Sequence, residues 1–193
     1  MILRTTGQDV AEQAKTGNYI GIPYTKLDCQ AFVEQVLKDL GVRKSDGTPY
    51  NWKGSNSMFR NHIRWRGTIE ECRKKFGEIP KGAFMFLVKH DGDEQLKGYK
   101  DDLGNATHVG LYVGTEPNPC MDSQPTGGVQ FRKLSVFTHV GLMSMIDYST
   151  SQNPPEPENS GAINAIHVLR DENSRDSECL NALIILTKYL KGV

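Results

Sequence analysis

The chain has no net charge to offer a polyanion. Its 23 Lys and Arg residues are matched by 23 Asp and Glu residues, which removes the bulk attraction that draws basic proteins to nucleic acid. It also has no apolar run of the roughly eighteen residues needed to cross a bilayer. Its first seven residues carry Arg4 but no apolar stretch of the length a secretory signal needs. Closely spaced cysteines are missing as well: the four stand far apart at 29, 72, 120 and 179. That spacing argues against zinc, whose ligands usually come in short-range pairs such as C-x2-C, and nothing else calls for a cofactor. Two disulfides fit the count, but 193 residues can bury a core without them, so the cysteines read as mostly free thiols. With 37% hydrophobic and 24% charged residues, the chain has the composition of a soluble globular protein.

The length suits one domain or one domain with a short appendage. Residues 8–16 hold Val10, Ala11 and Ala14 at helical spacing before Gly17, and residues 18–26, with Gly21 and Pro23, read as a loop. The clearest helix runs from Asp28 to Leu40, with Ala31, Phe32, Val36, Leu37 and Leu40 three and four residues apart and Gly41 behind them. Residues 43–78 are polar and should hold loops and one or two short helices, one over 69–76. Strands are expected at 83–89, 107–113, 129–134, 162–170 and, weakly, 142–148. Residues 90–106 form a polar excursion, the proline-bearing stretch 149–160 reads as a linker, and 176–191 as an amphipathic helix. The sequence His-Val-Gly-Leu occurs at 108–111 and 139–142, which is too little for a structural repeat. Arg60, His62, Arg64 and Arg66 around Trp65 make the one basic-aromatic patch; a solvated face or loop explains it more simply than an anionic-polymer contact.

A thiol attacks a carbonyl as thiolate, and a free cysteine, with a pKa of about 8.5, supplies little of that form at neutral pH. A helix amino terminus and a neighbouring imidazole both correct this. Cys29 stands one residue inside the strongest helix, where Asp28 can cap the free backbone N–H groups. Cys72, Cys120 and Cys179 lack that setting. Among the five histidines, His108 opens a strand behind a polar excursion, with Val109, Leu111 and Val113 set for the other pleat face. His139 is the rival base, without a comparable approach.

Four blocks in order then carry a resemblance: Gly21-Ile22-Pro23-Tyr24, Asp28-Cys29-Gln30-Ala31-Phe32-Val33, Gly82-Ala83-Phe84-Met85-Phe86 and His108-Val109-Gly110-Leu111-Tyr112-Val113-Gly114. Spanning roughly residues 8–148, they resemble the NlpC-type peptidoglycan cysteine peptidases. The resemblance implies an α+β, papain-like fold, with N-terminal helices and the nucleophile helix packed on a central antiparallel sheet. It implies a catalytic domain over 1–170, insertions at 43–78 and 90–106, and a helical extension or linker over 171–193. It further implies Cys29 as nucleophile, His108 as base, and a polar residue on the following strand that orients the imidazole. Aligned on Gly128 and Val129, that residue is Asp122; Ser123 and Gln124 lie within a register slip, and a surface turn would account for Asp122 as well. Tyr24 and Asp28 are the substrate-side candidates.

The chain departs from the family where Gln30 and Ala31 replace the usual Ser and Gly. It also lacks a Gly-Gly loop between the Tyr and Cys blocks, which puts a substrate role for Tyr24 in doubt. The implied reaction is hydrolysis of an amide in peptidoglycan stem peptides. Without an evident signal peptide, the expected setting is a phage or prophage endolysin released through a holin, or a tail-associated lysin. A papain-like acyltransferase or deamidase would use the same pair, and a non-catalytic phage tail or wall-binding protein would need neither.

Overall fold

The computed structural model describes residues 5–90, 99 and 101–149. The chain divides into two units, Met1–Gln152 and Asn153–Val193, and every described residue belongs to the first. The strand expected at 162–170, the helix at 176–191, the extension at 171–193, nearly all of the 149–160 linker and most of the 90–106 excursion therefore lie outside the described residues.

The first unit is α+β. Helix α1 (Gly7–Thr16) opens on a capping box, with Thr6 and Asp9 each bonding the other's backbone N–H. Helix α2 (Cys29–Asp39) is capped by Asp28, whose Oδ1 accepts from the Ala31 N–H at 2.7 Å. Its apolar stripe, Phe32, Val33, Val36 and Leu37, is buried, as the three-and-four spacing requires. The short helix α3 (Ser55–Arg60) docks on the sheet through Asn56, whose Oδ1 accepts from the Ala106 N–H, and Ser55, whose hydroxyl donates to the Ala106 carbonyl. Helix α4 (Ile69–Phe76) has a second capping box, Thr68 with Glu71.

Six strands, β1 (Ile63–Thr68), β2 (Phe84–Lys89), β3 (Asn105–Tyr112), β4 (Cys120–Gln124), β5 (Gly128–Arg132) and β6 (His139–Met143), form one sheet in the order β1-β6-β2-β3-β4-β5. Every neighbouring pair is antiparallel. Helix α2 packs on β3 and β4, the strands at the heart of the site. The core gathers the α2 stripe with Phe59, Phe84, Met85, Phe86, Leu111, Met121 and Leu142, all essentially without exposed surface.

Three expectations need correction. Residues 63–68, assigned to loops and short helices, are the edge strand β1, with apolar Ile63 and Trp65 alternating with Arg64 and Arg66. The last described strand begins at His139 and ends at Met143, so residues 144–148 hold a turn, a bend and one isolated bridge, Asp147 to Thr6, rather than a strand. The basic-aromatic row is not a plain solvated loop either. Arg60 makes two bonds to Asp101, a third to the Gly104 carbonyl, and lies 3.8 Å over the Tyr99 ring, while Arg66 is half-buried over Phe59. Among the described residues no helix is long and apolar enough to cross a membrane.

Phe86 is fully buried and meets the Phe59 ring edge-on at 5.0 Å. Phe86→Ala is expected to cost about 3–5 kcal/mol in urea unfolding. Ile20→Ala, at a side chain 55% exposed, should stay within about 0.5 kcal/mol. Equal costs would contradict this placement of the core.

Candidate active site

The loop before α2 is held by the far strands of the sheet. The Gly21 N–H donates to the Val129 carbonyl and the Val129 N–H to that of Ile22, at 2.8 and 3.0 Å. Gly128 permits this approach: its φ is +65°, and a Cβ there would stand 2.0 Å from the Ile22 carbonyl oxygen. Six residues on, the buried Ser123 hydroxyl donates to the Leu27 carbonyl. The chain thus enters α2 tied to both β5 and β4, and Cys29 has its position set from both sides.

Cys29 begins α2 and is 8% exposed. In that first turn the Ala31 N–H goes to the Asp28 side chain and the Phe32 N–H to the Asp28 carbonyl. The N–H groups of Cys29 and Gln30 have no acceptor among the described residues. Cys72 and Cys120 are buried thiols whose pKa is pushed up to about 12, in both cases chiefly by burial, so neither is a competent nucleophile. Cys179 lies outside the described residues.

His108 sits fourth in β3 rather than opening it. A bulge lies immediately before it: Leu87 pairs with His108 but Val88 pairs with Ala106, leaving Thr107 as an extra residue. Bulges of this kind re-aim a side chain. The pairs Leu111 with Met121 and Tyr112 with Cys120, continued along the strands, set Gly110 opposite Asp122 and His108 opposite Gln124. These polar side chains therefore share a pleat face. Gly110 leaves the room they need, because a Cβ there would meet the Met121 carbonyl at 2.7 Å, the Phe137 ring at 2.9 Å and the Asp122 Cβ at 3.1 Å. The Phe137 ring lies over the imidazole, 5.9 Å between centroids at 16°.

Asp122, buried at 0% exposure, accepts from His108 Nε2 at 2.8 Å through Oδ2. Nε2 therefore carries a proton, and Cys29 acts on the same imidazole through a hydrogen bond and its charge. Gln124 Nε2 donates to the same Asp122 oxygen at 2.7 Å and also lies 2.8 Å from His108 Nε2. That second approach sets donor against donor. Turning the amide round would place its oxygen against the carboxylate instead, so the useful bond is the one to Asp122. Burial alone would pull the His108 pKa down and is the largest effect. The hydrogen bonds to Asp122 and Cys29, with the charges of both, outweigh it and raise the pKa to about 9.

The other candidates fall as follows. The Tyr24 hydroxyl lies 4.0 Å from the Cys29 sulfur, and burial, followed by the charge of Cys29, raises its pKa to about 12. The missing Gly-Gly loop thus does not remove Tyr24 from the site. Asp28 serves as the helix cap. His139 lies on β6, separated from β3 by β2; its Nδ1 meets the Thr138 hydroxyl at 2.9 Å, and its ring faces Phe59 and His90. Gln30 donates to the Trp52 carbonyl and accepts from the Gly54 N–H, pinning that loop beside Cys29. Sequence reasoning missed Ser123 as an anchor, Phe137 as a ring partner and Arg132, whose Nε lies 3.6 Å from Asp122 Oδ2. For Arg132, the period-two pattern of residues 128–132 was the available signal.

Compared with known protein families, curated proteins and solved structures, the chain matches none.

An NMR titration is expected to place the His108 midpoint near 9, with Asp122→Asn lowering it by about one to three pH units. The linkage follows from the sign. A pKa raised above the unfolded value of about 6.5 gives stability that is complete below that pH and lost as pH rises through about 9. The stability gap between wild type and His108→Ala should shrink across that window; a gap that widens would contradict it.

Proposed function

We propose that this chain is a cysteine hydrolase of the NlpC-type, papain-like class that cleaves amide bonds in peptidoglycan stem peptides. The observation that carries the reading is the grouping of Cys29, His108 and Asp122, in which a thiol at a helix start interacts with a histidine whose Nε2 is bonded to a buried carboxylate. Three elements, α2, β3 and β4, each contribute one member. An α+β unit with the thiol helix packed on an antiparallel sheet supports the papain-like reading. The choice of peptidoglycan rests on the four resembling sequence blocks.

In the proposed reaction Cys29 has passed its proton to His108 Nδ1, and the sulfur attacks the amide carbonyl. A C–S bond forms and the carbonyl electron pair moves to oxygen, where the N–H groups of Cys29 and Gln30 stabilise the charge. The oxyanion collapses, the C–N bond breaks, and the imidazolium gives its proton to the leaving amine. Water then attacks the thioester while His108 takes one of its protons. The acid leaves, and the thiolate and imidazolium return. Asp122 keeps the ring in the tautomer and orientation both steps need. Tyr24, whose hydroxyl lies 4.0 Å from the sulfur, is the substrate-side candidate. The biological setting in this reading is wall lysis by a phage or prophage enzyme, delivered through a holin or on the virion.

Purified cell walls incubated with wild type should release stem-peptide fragments by mass spectrometry, and Cys29→Ser should lose at least about 10³-fold in rate. Iodoacetamide should label Cys29 well ahead of Cys72 and Cys120, and His108→Ala should erase most of that lead. Equal fragment release from wild type and Cys29→Ser would end the hydrolase reading, and capture of an added amine acceptor without hydrolysis would convert it to a transferase.

A further inference from the structure

The buried carboxylate of Asp122 has more around it than the imidazole. The β4–β5 register sets Cys120 opposite Arg132 and Asp122 opposite Gln130, so Arg132 is the diagonal neighbour of Asp122 on the same pleat face. Its Nε lies 3.6 Å from Asp122 Oδ2 and, though buried, makes no hydrogen bond among the described residues. Asp122 Oδ1 is likewise buried without a partner there. Four groups then follow one another across α2, β3, β4 and β5: sulfur, imidazole, carboxylate, guanidinium.

The need for the last member comes from the proton cycle, and so rests on the hydrolase reading. While His108 is an imidazolium, the Asp122 charge is balanced by the ring. Once the ring gives its proton to a leaving group, a carboxylate with no exposed surface faces a neutral imidazole, and a buried anion in that state is strongly disfavoured. The amide of Gln124 supplies a hydrogen bond but no charge. Among the described residues, the titratable and charged groups recorded around the pair are Cys29 and Asp28 at the start of α2, Tyr24 before it, Cys120 on β4 and Arg132 on β5. Of these, Arg132 is the cation.

We propose that Arg132 is a positioning residue of the relay, holding the Asp122 carboxylate charged and aimed at His108 while the imidazole is between protons. It acts through Asp122 and touches no reacting atom. A guanidinium suits the task because it stays charged throughout the working pH range.

The test follows the His108 imidazole by NMR against pH in wild type, R132M, R132Q and R132K, with thermal melts to confirm folding. Without the guanidinium the proton-free pair is destabilised, so R132M and R132Q are expected to hold the His108 proton more tightly and move its midpoint upward by about one pH unit. R132K, which keeps the charge, should stay close to wild type. A merely structural Arg132 would give the opposite sign, because a carboxylate that drifts from the ring lowers the midpoint. An unchanged or lowered midpoint in whichever neutral variant folds overturns the proposal. No substrate enters this measurement, so its failure is read separately from that of the hydrolase reading, which the wall digestion with Cys29→Ser decides.

Discussion

A carboxylate with no exposed surface is the constraint around which this site is built. Asp122 gives up its hydration, and the surrounding strands return donors to Oδ2 from His108 and Gln124, with Arg132 a little further off. Each donor reaches it only because β3, β4 and β5 are paired in one register, and a slip of one residue would turn every member to the opposite face. The bulge at Thr107, the bare Gly110 and the Phe137 ring all keep the imidazole in that register. Ser123, next to Asp122 in the chain, carries the same discipline to the nucleophile through the Leu27 carbonyl.

Much of this was legible in the residue pattern, and the reasons are specific. Helix α2 could be read because its apolar stripe and its Asp28 cap are local signals, each complete within a dozen residues. His108 could be singled out from His139 by the polar excursion before it, and among the described histidines it is His108 whose ring interacts with Cys29, while His139 stands two strands away. Asp122 was chosen over Ser123 and Gln124 on an alignment point; the structure gives each a bond of its own, Asp122 to His108, Ser123 to the Leu27 carbonyl and Gln124 to the Asp122 carboxylate. Strand β1 was missed because Arg64 and Arg66 made Ile63 to Thr68 look like a charged loop, although the apolar alternation was present. The bulge beside His108 could not be read, since it belongs to a strand pair and not to any one segment, and the period-two pattern of residues 128–132 gave the face of Arg132 but not its diagonal approach to Asp122.

The region between α2 and β2 is fastened to the site rather than hung outside it. Gln30 follows the nucleophile and holds the 52–54 backbone by two bonds, while Glu34 accepts from the Trp52 N–H. The Tyr50 ring stacks on Trp52 at 4.9 Å, with His62 edge-on to both. This wall is therefore fastened to the helix that carries the sulfur, and α3 fastens the same stretch to the start of β3.

The two borders of the sheet differ in a way that bears on how the molecule behaves in a crowd. At one border β5 is covered by the Gly21–Ile22 backbone, whereas at the other β1 has no further strand beside it among the described residues. An open border invites a second copy to add itself as a strand. Here the border strand is short, kinked by an irregular pairing at Arg64, and armed with Arg64 and Arg66. With no net charge to keep copies apart, those two arginines and that irregular pairing are what this border itself sets against edge-to-edge addition.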